Sequence, residues 1–288
     1  MGFTKDIPSP GGGFQSRLLI VDALVASIIA ATFYFAPDRV ADFIFQRKTD
    51  GVHWHLVRCV GGQILAGAFV NIRLRNSKPQ ATTVCCLLRI ISSILCLLIV
   101  FHSRSQTPQL VHPQVLEVCR VVLFSIIFVY ISVLIYNGWA VVADTTLFPE
   151  NKVGNFLYQL DCLASIAIGT AWLTFPKWLL HRQVAIPLDE SHELLGRVMG
   201  AFFVSSYCIS QHALHWSNNR DRVVVIYSRV VCCAAILSAQ VYSQYAYHDD
   251  WNGNHWVGIT LFSTWTIIAF IYGICILCSK ESPKGKMA

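Results

Sequence analysis

The chain has 288 residues, 55% of them hydrophobic and only 13% charged, with a mean hydropathy of +0.52 and a formal net charge of +6. A water-soluble domain needs far more charge to cover its surface, so the composition excludes a soluble fold and predicts an integral membrane protein. The basic residues are scattered among apolar runs, which fits an anionic membrane face and argues against a nucleic-acid partner.

Residues 1–16, with Pro8, Pro10 and Gly11-Gly12-Gly13, read as a flexible cytosolic tail. No short apolar core with a small-residue cleavage site follows, so the tail is not a signal peptide. Asp6 stands where N-myristoylation requires Ser or Thr. Eight apolar segments come next, at roughly 18–36, 54–73, 81–101, 116–138, 156–175, 192–213, 223–244 and 256–278. Each is close to the ~20 residues that cross ~30 Å of hydrocarbon. None has a sustained polar face.

The second segment opens on His53-Trp54-His55-Leu56-Val57-Arg58-Cys59-Val60-Gly61-Gly62, and the chain says part of this twice. At an offset of 139 residues, His53, Leu56, Arg58 and Gly61 fall on His192, Leu195, Arg197 and Gly200. The same offset carries Asp22 onto Asp161, Pro37 onto Pro176 and Asp50 onto Asp189; Arg89 meets Arg229 at 140. Matching at a fixed offset predicts internal duplication. The expected fold is all-α and polytopic: eight transmembrane helices in two four-helix repeats, 17–144 and 145–279, with a cytosolic tail at 280–288. An even number of helices per repeat makes the repeats parallel. After the first helix of each, Pro37 and Pro176 suit the first turn of a short interfacial helix; Val40, Phe43 and Ile44 share one face of it, and Trp178, Leu179 and Leu180 give a similar but shorter pattern.

Charges inside the segments are the candidate site. Asp22 lies about one turn inside the first segment, and Arg89 lies at a similar depth in the third; Asp161 and Arg229 repeat this. A lone charge at a helix centre costs ~2.5–3.5 kcal/mol on insertion scales, so the two acid–base sets are expected to pair. Arg58 and Arg197, one turn past His53 and His192, lie near the other face; all four read as headgroup or anion contacts, the arginines by snorkelling. Two readings of these charges stay open. They are helix locks, with Gly61 and Gly200 permitting close contact, or they line a polar cavity in each repeat that attracts an anionic headgroup or small acid.

His53-Trp54-His55 invites a metal, but His55 has no histidine at its counterpart, so neither metal nor cofactor is expected. The eleven cysteines lie in or beside apolar runs and read as free, packing thiols. There is no His-Glu-x-x-His, Gly-x-Ser-x-Gly or phosphate-binding glycine loop, so no catalytic residue is assigned.

Several short motifs carry a likeness: Ala36-Pro37, Leu56-Val57-Arg58-Cys59-Val60-Gly61-Gly62, Arg89 and Leu116-Glu117-Val118, with Pro176, Leu195-Gly196-Arg197-Val198-Met199-Gly200 and Arg229 in the second copy. On these, each repeat resembles the DoxX-like four-helix membrane proteins, although Glu117 has no acidic counterpart. The resemblance implies a small four-helix bundle and, for some relatives, a role as assembly factor or subunit. It implies no catalytic residue.

Eleven Lys and Arg flank the segments on the side of the termini and six on the other, which places both termini in the cytosol. Lys284 and Lys286 resemble a dilysine retrieval signal of endoplasmic reticulum membrane proteins; a positive-inside tail is the other reading. The leading function is a non-catalytic scaffold, assembly factor or lipid-binding protein, with membrane lipid and other membrane proteins as partners. A transporter using the cleft between repeats and a lipid-modifying enzyme are the alternatives.

Overall fold

The computed structural model describes residues 12–139, 152–216 and 218–280. Among these the protein is all-α, in chain order α1 (Gly12–Phe35), α2 (Pro37–Ile44), α3 (Gly51–Leu74), α4 (Pro79–Gln106), α5 (Pro113–Tyr136), α6 (Lys152–Thr174), α7 (Pro176–His181), α8 (Glu190–Ala213), α9 (Asn219–Ala246) and α10 (His255–Lys280). The first helix begins at Gly12, which shortens the expected tail of residues 1–16. The expected boundary at 144/145, the C-terminal lysines and residues 1–11 lie outside the described residues.

Local sequence sets the helix starts. Pro37, Pro79, Pro113 and Pro176 each open a helix, where a fixed φ helps and the missing N–H is not needed. The other mode is capping: Asp50 and Asp189 precede α3 and α8, and each carboxylate accepts the N–H groups of the second and third helical residues. Two isolated antiparallel bridges, Phe45 with Val111 and Val184 with Trp251, tie the α2–α3 and α7–α8 connections to the loops before α5 and α10.

Among the described residues, seven helices are long and apolar enough to cross a membrane: α1, α3, α4, α5, α6, α9 and α10. With its 24 residues, α8 has the length but carries Glu190, His192, Glu193, Arg197, Gln211 and His212. Its position explains that composition. Both α3 and α8 sit at the centre, against each other, so His53, His55, Gln63, Asn71 and His192 are buried in protein. Around them α1 packs on α3 and α6 on α8, while α5 leans on α4 and α10 on α9.

The two halves interleave. Helix α3 packs more extensively on α9 than on its sequence neighbour α4, and α8 more on α4 than on α9. Gly62 makes the first contact possible, because a Cβ there would lie 2.7 Å from the Ala235 Cβ. On the outside, Ile28, Val118, Phe128, Leu163, Val257 and Ile267 are exposed. That leaves a girdle of large apolar side chains, as lipid-facing helices require.

Candidate functional site

Of the places where polar side chains gather among the described residues, three bear on function. The first lies at the α2/α7 end, where the N-termini of α3 and α8 meet. His53 and His192 are the third residues of their helices, each reaching back to its capping aspartate. Nδ1 of His53 lies 2.9 Å from Asp50 Oδ1, and Nδ1 of His192 lies 3.0 Å from Asp189 Oδ1. The imidazoles face each other with ring centres 3.8 Å apart. His192 Nε2 then crosses to Asp50 Oδ2 at 3.0 Å, and His53 Nε2 crosses to Ser191 Oγ at 2.7 Å. The Ser191 hydroxyl in turn donates a hydrogen bond to Asp189. Each half therefore holds the cap of the other.

Charge at this end is arranged to keep the aspartates ionised. Burial pushes the Asp50 carboxyl up, but hydrogen bonds from His192 and His53 outweigh it and hold the group well below its usual range. Burial also opposes ionisation of Asp189, yet the Ser191 hydroxyl and N–H, with Arg47, bring it down to about 2. Arg47 reaches Asp189 at 3.2 Å and Glu190 at 2.9 Å. Asp250 accepts the Gly51 N–H at 3.0 Å, and its carboxyl is raised by burial and by Asp50 nearby.

The second place is the pair of intramembrane ion pairs. Arg89 clasps Asp22 through Nε at 2.7 Å and a terminal nitrogen at 2.8 Å, joining α1 to α4. Asn71 adds an N–H to Asp22 at 2.7 Å. At the corresponding position of α8, Ser210 donates to Asp161. Arg229 meets Asp161 at 2.6 Å and also bonds Ser165 at 2.7 Å and Ser206 at 3.3 Å. Trp265 of α10 completes this set: its indole N–H lies 3.2 Å from Asp161 and its ring stacks under the Arg229 guanidinium, 4.9 Å away.

Beside the second pair is the third feature, a cleft of about 230 Å³ between α6, α9 and α10. Its walls are mostly apolar, and Asp161 and Arg229 are the charged part of its lining, with Ser210, Thr264 and Trp265 among the other polar side chains. Leu160, Leu261 and Ile268 at its rim are exposed, so it opens to the side of the bundle. In the first half, Tyr130 of α5 is 2% exposed and packs among buried residues. A smaller space of about 40 Å³, between the halves, touches both Arg89 and Arg229 and four serines besides Ser210. It is room for a few water molecules and not for a solute.

His53 and His192 are corrected by this geometry. Expected at the headgroups, they are 1% and 3% exposed and face one another, because α3 and α8 are the central helices and their ends meet inside the bundle. Arg58 and Arg197 lie nearer the edge but are engaged. The Arg58 guanidinium lies over the Tyr242 ring at 4.5 Å and donates to the Tyr34 carbonyl at 3.2 Å; Arg197 pairs with Glu193 at 3.3 Å. Sequence reasoning passed over Asp50, Asp189, Ser191 and Trp265. For the first two the signal was present, an Asp three residues before each repeated His. The ten cysteines whose side chains are described are free thiols.

The chain matches the family model described as "Domain of unknown function (DUF8292)" over residues 20–274, which takes in all ten helices in whole or part, and it belongs to that family. No curated protein and no solved structure matches it.

Proposed function

We propose that this member of a family of unknown function is a non-catalytic, lipid-binding membrane protein whose cleft between α6, α9 and α10 holds a membrane amphiphile. The observation that carries the reading is the cleft itself: apolar walls, a charged floor and a rim at the lipid-facing surface. An acyl or isoprenoid-type chain would lie against Leu157, Ile168 and Ile268, and because bilayer hydrocarbon is as apolar as these walls, the preference for the cleft comes from packing and from the polar floor. Asp161 is already held by Arg229, Ser210 and Trp265, so the floor orients a hydroxyl or ester end rather than reacting with it.

On the same reading all eight long helices cross the bilayer, as two parallel repeats with both termini cytosolic. The recurrence of element bounds supports this: α2, α3 and α4 start at 37, 51 and 79, and α7, α8 and α9 at 176, 190 and 219. The two bridges obey nearly the same offset. Residency in the endoplasmic reticulum rests on Lys284 and Lys286 alone. Transport is the weaker alternative, since the space shared by Arg89 and Arg229 is too small for a solute.

The test is native mass spectrometry of protein extracted in mild detergent. Wild type is expected to retain one lipid per chain, and Ala164→Leu with Ala269→Phe, which fill the cleft, to retain at least fivefold less at an unchanged melting temperature. Equal retention by the filled variant removes the cleft as the binding site.

A further inference from the structure

We propose that Asp50, His53 and His192 form a binding site for a divalent transition metal of the zinc type, closing the seam between α3 and α8. One oxygen or nitrogen from each residue lies within 4.8 Å of the others. The set of two imidazoles and one carboxylate is a zinc-type donor set that leaves a fourth position open. His192 Nε2 and Asp50 Oδ2 are 3.0 Å apart. Two donors about 2.0–2.2 Å from one tetrahedral ion sit roughly 3.3 Å from each other, so a small adjustment admits the metal. Ser191 Oγ, 2.7 Å from His53 Nε2, marks the place of the fourth donor, the hydroxyl itself or a water.

What lies behind the imidazoles strengthens the assignment. A metal-bound histidine almost always gives its other N–H to a carboxylate or carbonyl, which fixes the ring and raises its basicity. Here both rings have that partner built in. His53 Nδ1 faces Asp50 Oδ1 at 2.9 Å, and His192 Nδ1 faces Asp189 Oδ1 at 3.0 Å. With the proton on Nδ1, both Nε2 lone pairs point to the shared space. Without metal, the same Nε2 atoms make the cross-seam bonds to Asp50 and Ser191. Metal binding exchanges those two hydrogen bonds for two coordinate bonds at the same nitrogens, so the site accepts metal without moving either helix.

The asymmetry between the halves shows why Asp50 and not Asp189 is the ligand. Asp189 Oδ2 is drawn outward by Arg47, and Ser191 donates to Asp189 Oδ1. The residue corresponding to Ser191 in the first half is Val52, so Asp50 carries no such bond and its Oδ2 is left to the shared space. Asp50 is also the exposed member, with its side chain 31% accessible against 1% and 3% for the histidines. The ion therefore reaches the site from the aqueous α2/α7 end and is covered by protein beneath.

The experiment uses the full chain in detergent, loaded with Zn²⁺ alone, desalted and measured by elemental mass spectrometry. Wild type is expected to hold about one zinc per chain and to melt higher with Zn²⁺ than after EDTA. His53→Gln and His192→Gln retain a side-chain donor and are expected to lose at least tenfold in occupancy. Because a glutamine variant can fail to fold, Co²⁺ is added to wild type as well: a tetrahedral N₂O site gives the intense visible bands that six-coordinate Co²⁺ lacks. Wild type without stoichiometric zinc or those bands overturns the proposal, as does a folded His192→Gln variant that binds zinc as well as wild type. In either case the cluster is a hydrogen-bonded clasp only.

Discussion

Gly169 of α6 and Gly200 of α8 touch backbone to backbone: a Cβ on Gly200 would lie 2.7 Å from the Gly169 carbonyl oxygen and 2.6 Å from the Leu173 nitrogen. No flexible side chain is there to give way, so the two helices are as close as their backbones allow.

Gly200→Ala is therefore expected to cost about 1–3 kcal/mol by overpacking. Gly67→Ala is the control, because its nearest neighbour is the end of Leu88 at 3.7 Å. Alanine there is neutral or stabilising by up to about 1 kcal/mol, as in any open helix interior. Thermal melting of the two variants in one detergent decides the matter. Equal losses at both positions would mean that α6 and α8 are not in contact at Gly200.

Breaking the Asp22–Arg89 pair on one side leaves the other charge in a low-dielectric setting. Asp22→Asn is expected to destabilise by about 3–5 kcal/mol, whereas Asp22→Leu with Arg89→Met recovers most of the loss. The readout is a double-mutant cycle on melting temperature and yield. Purely additive single losses contradict direct pairing.

These charges were legible before any coordinates, because a membrane helix tolerates a charge only with a partner and Asp22 and Arg89 lie at one depth. The starts of α2 and α7 were legible because proline marks a first turn, and the long helices because apolar runs of that length span a bilayer, while the aspartates that cap α3 and α8 went unread. Neighbours were not. Segments that are apolar all round carry no stripe to say which helix they face, so the packing of α3 on α9 was invisible. His53 and His192 were misplaced for the same reason, since a residue at a helix end meets headgroups or protein according to where that helix stands. The cleft beside Trp265 depends on the spacing of whole helices and has no motif.

Acid is expected to loosen the seam between α3 and α8. The folded state holds Asp50 well below its ordinary value of 3.8 and Asp189 at about 2, so the unfolded chain binds more protons as pH falls. Their stabilising contribution is complete above about pH 4–5 and is lost as pH drops through the folded values toward 2 and below. Asp250, whose carboxyl is raised, works in the opposite sense and blunts the effect. Melting temperatures between pH 6 and 2 are expected to fall for wild type and to flatten for Asp50→Asn. A parallel decline in both would assign the acid sensitivity elsewhere.

The basic asymmetry gives a test of orientation. Cysteines placed at the exposed Ser105 and Asp249, both at the α2/α7 end, are expected to escape an impermeant thiol reagent when only the plasma membrane is opened. Labelling of either site under those conditions reverses the topology.

The interleaving of the halves has a consequence for biogenesis. Helices α1 to α5 leave the ribosome before α8 and α9 exist, so Gly62, Gln63 and His53 of α3 are at first without their mates. The nascent chain must hold that polar seam until more than a hundred further residues have been made. Assembly of the core is consequently a late, post-insertion event. Pulse-labelled chains stopped after α5 would be integrated in the bilayer yet remain open to proteolysis.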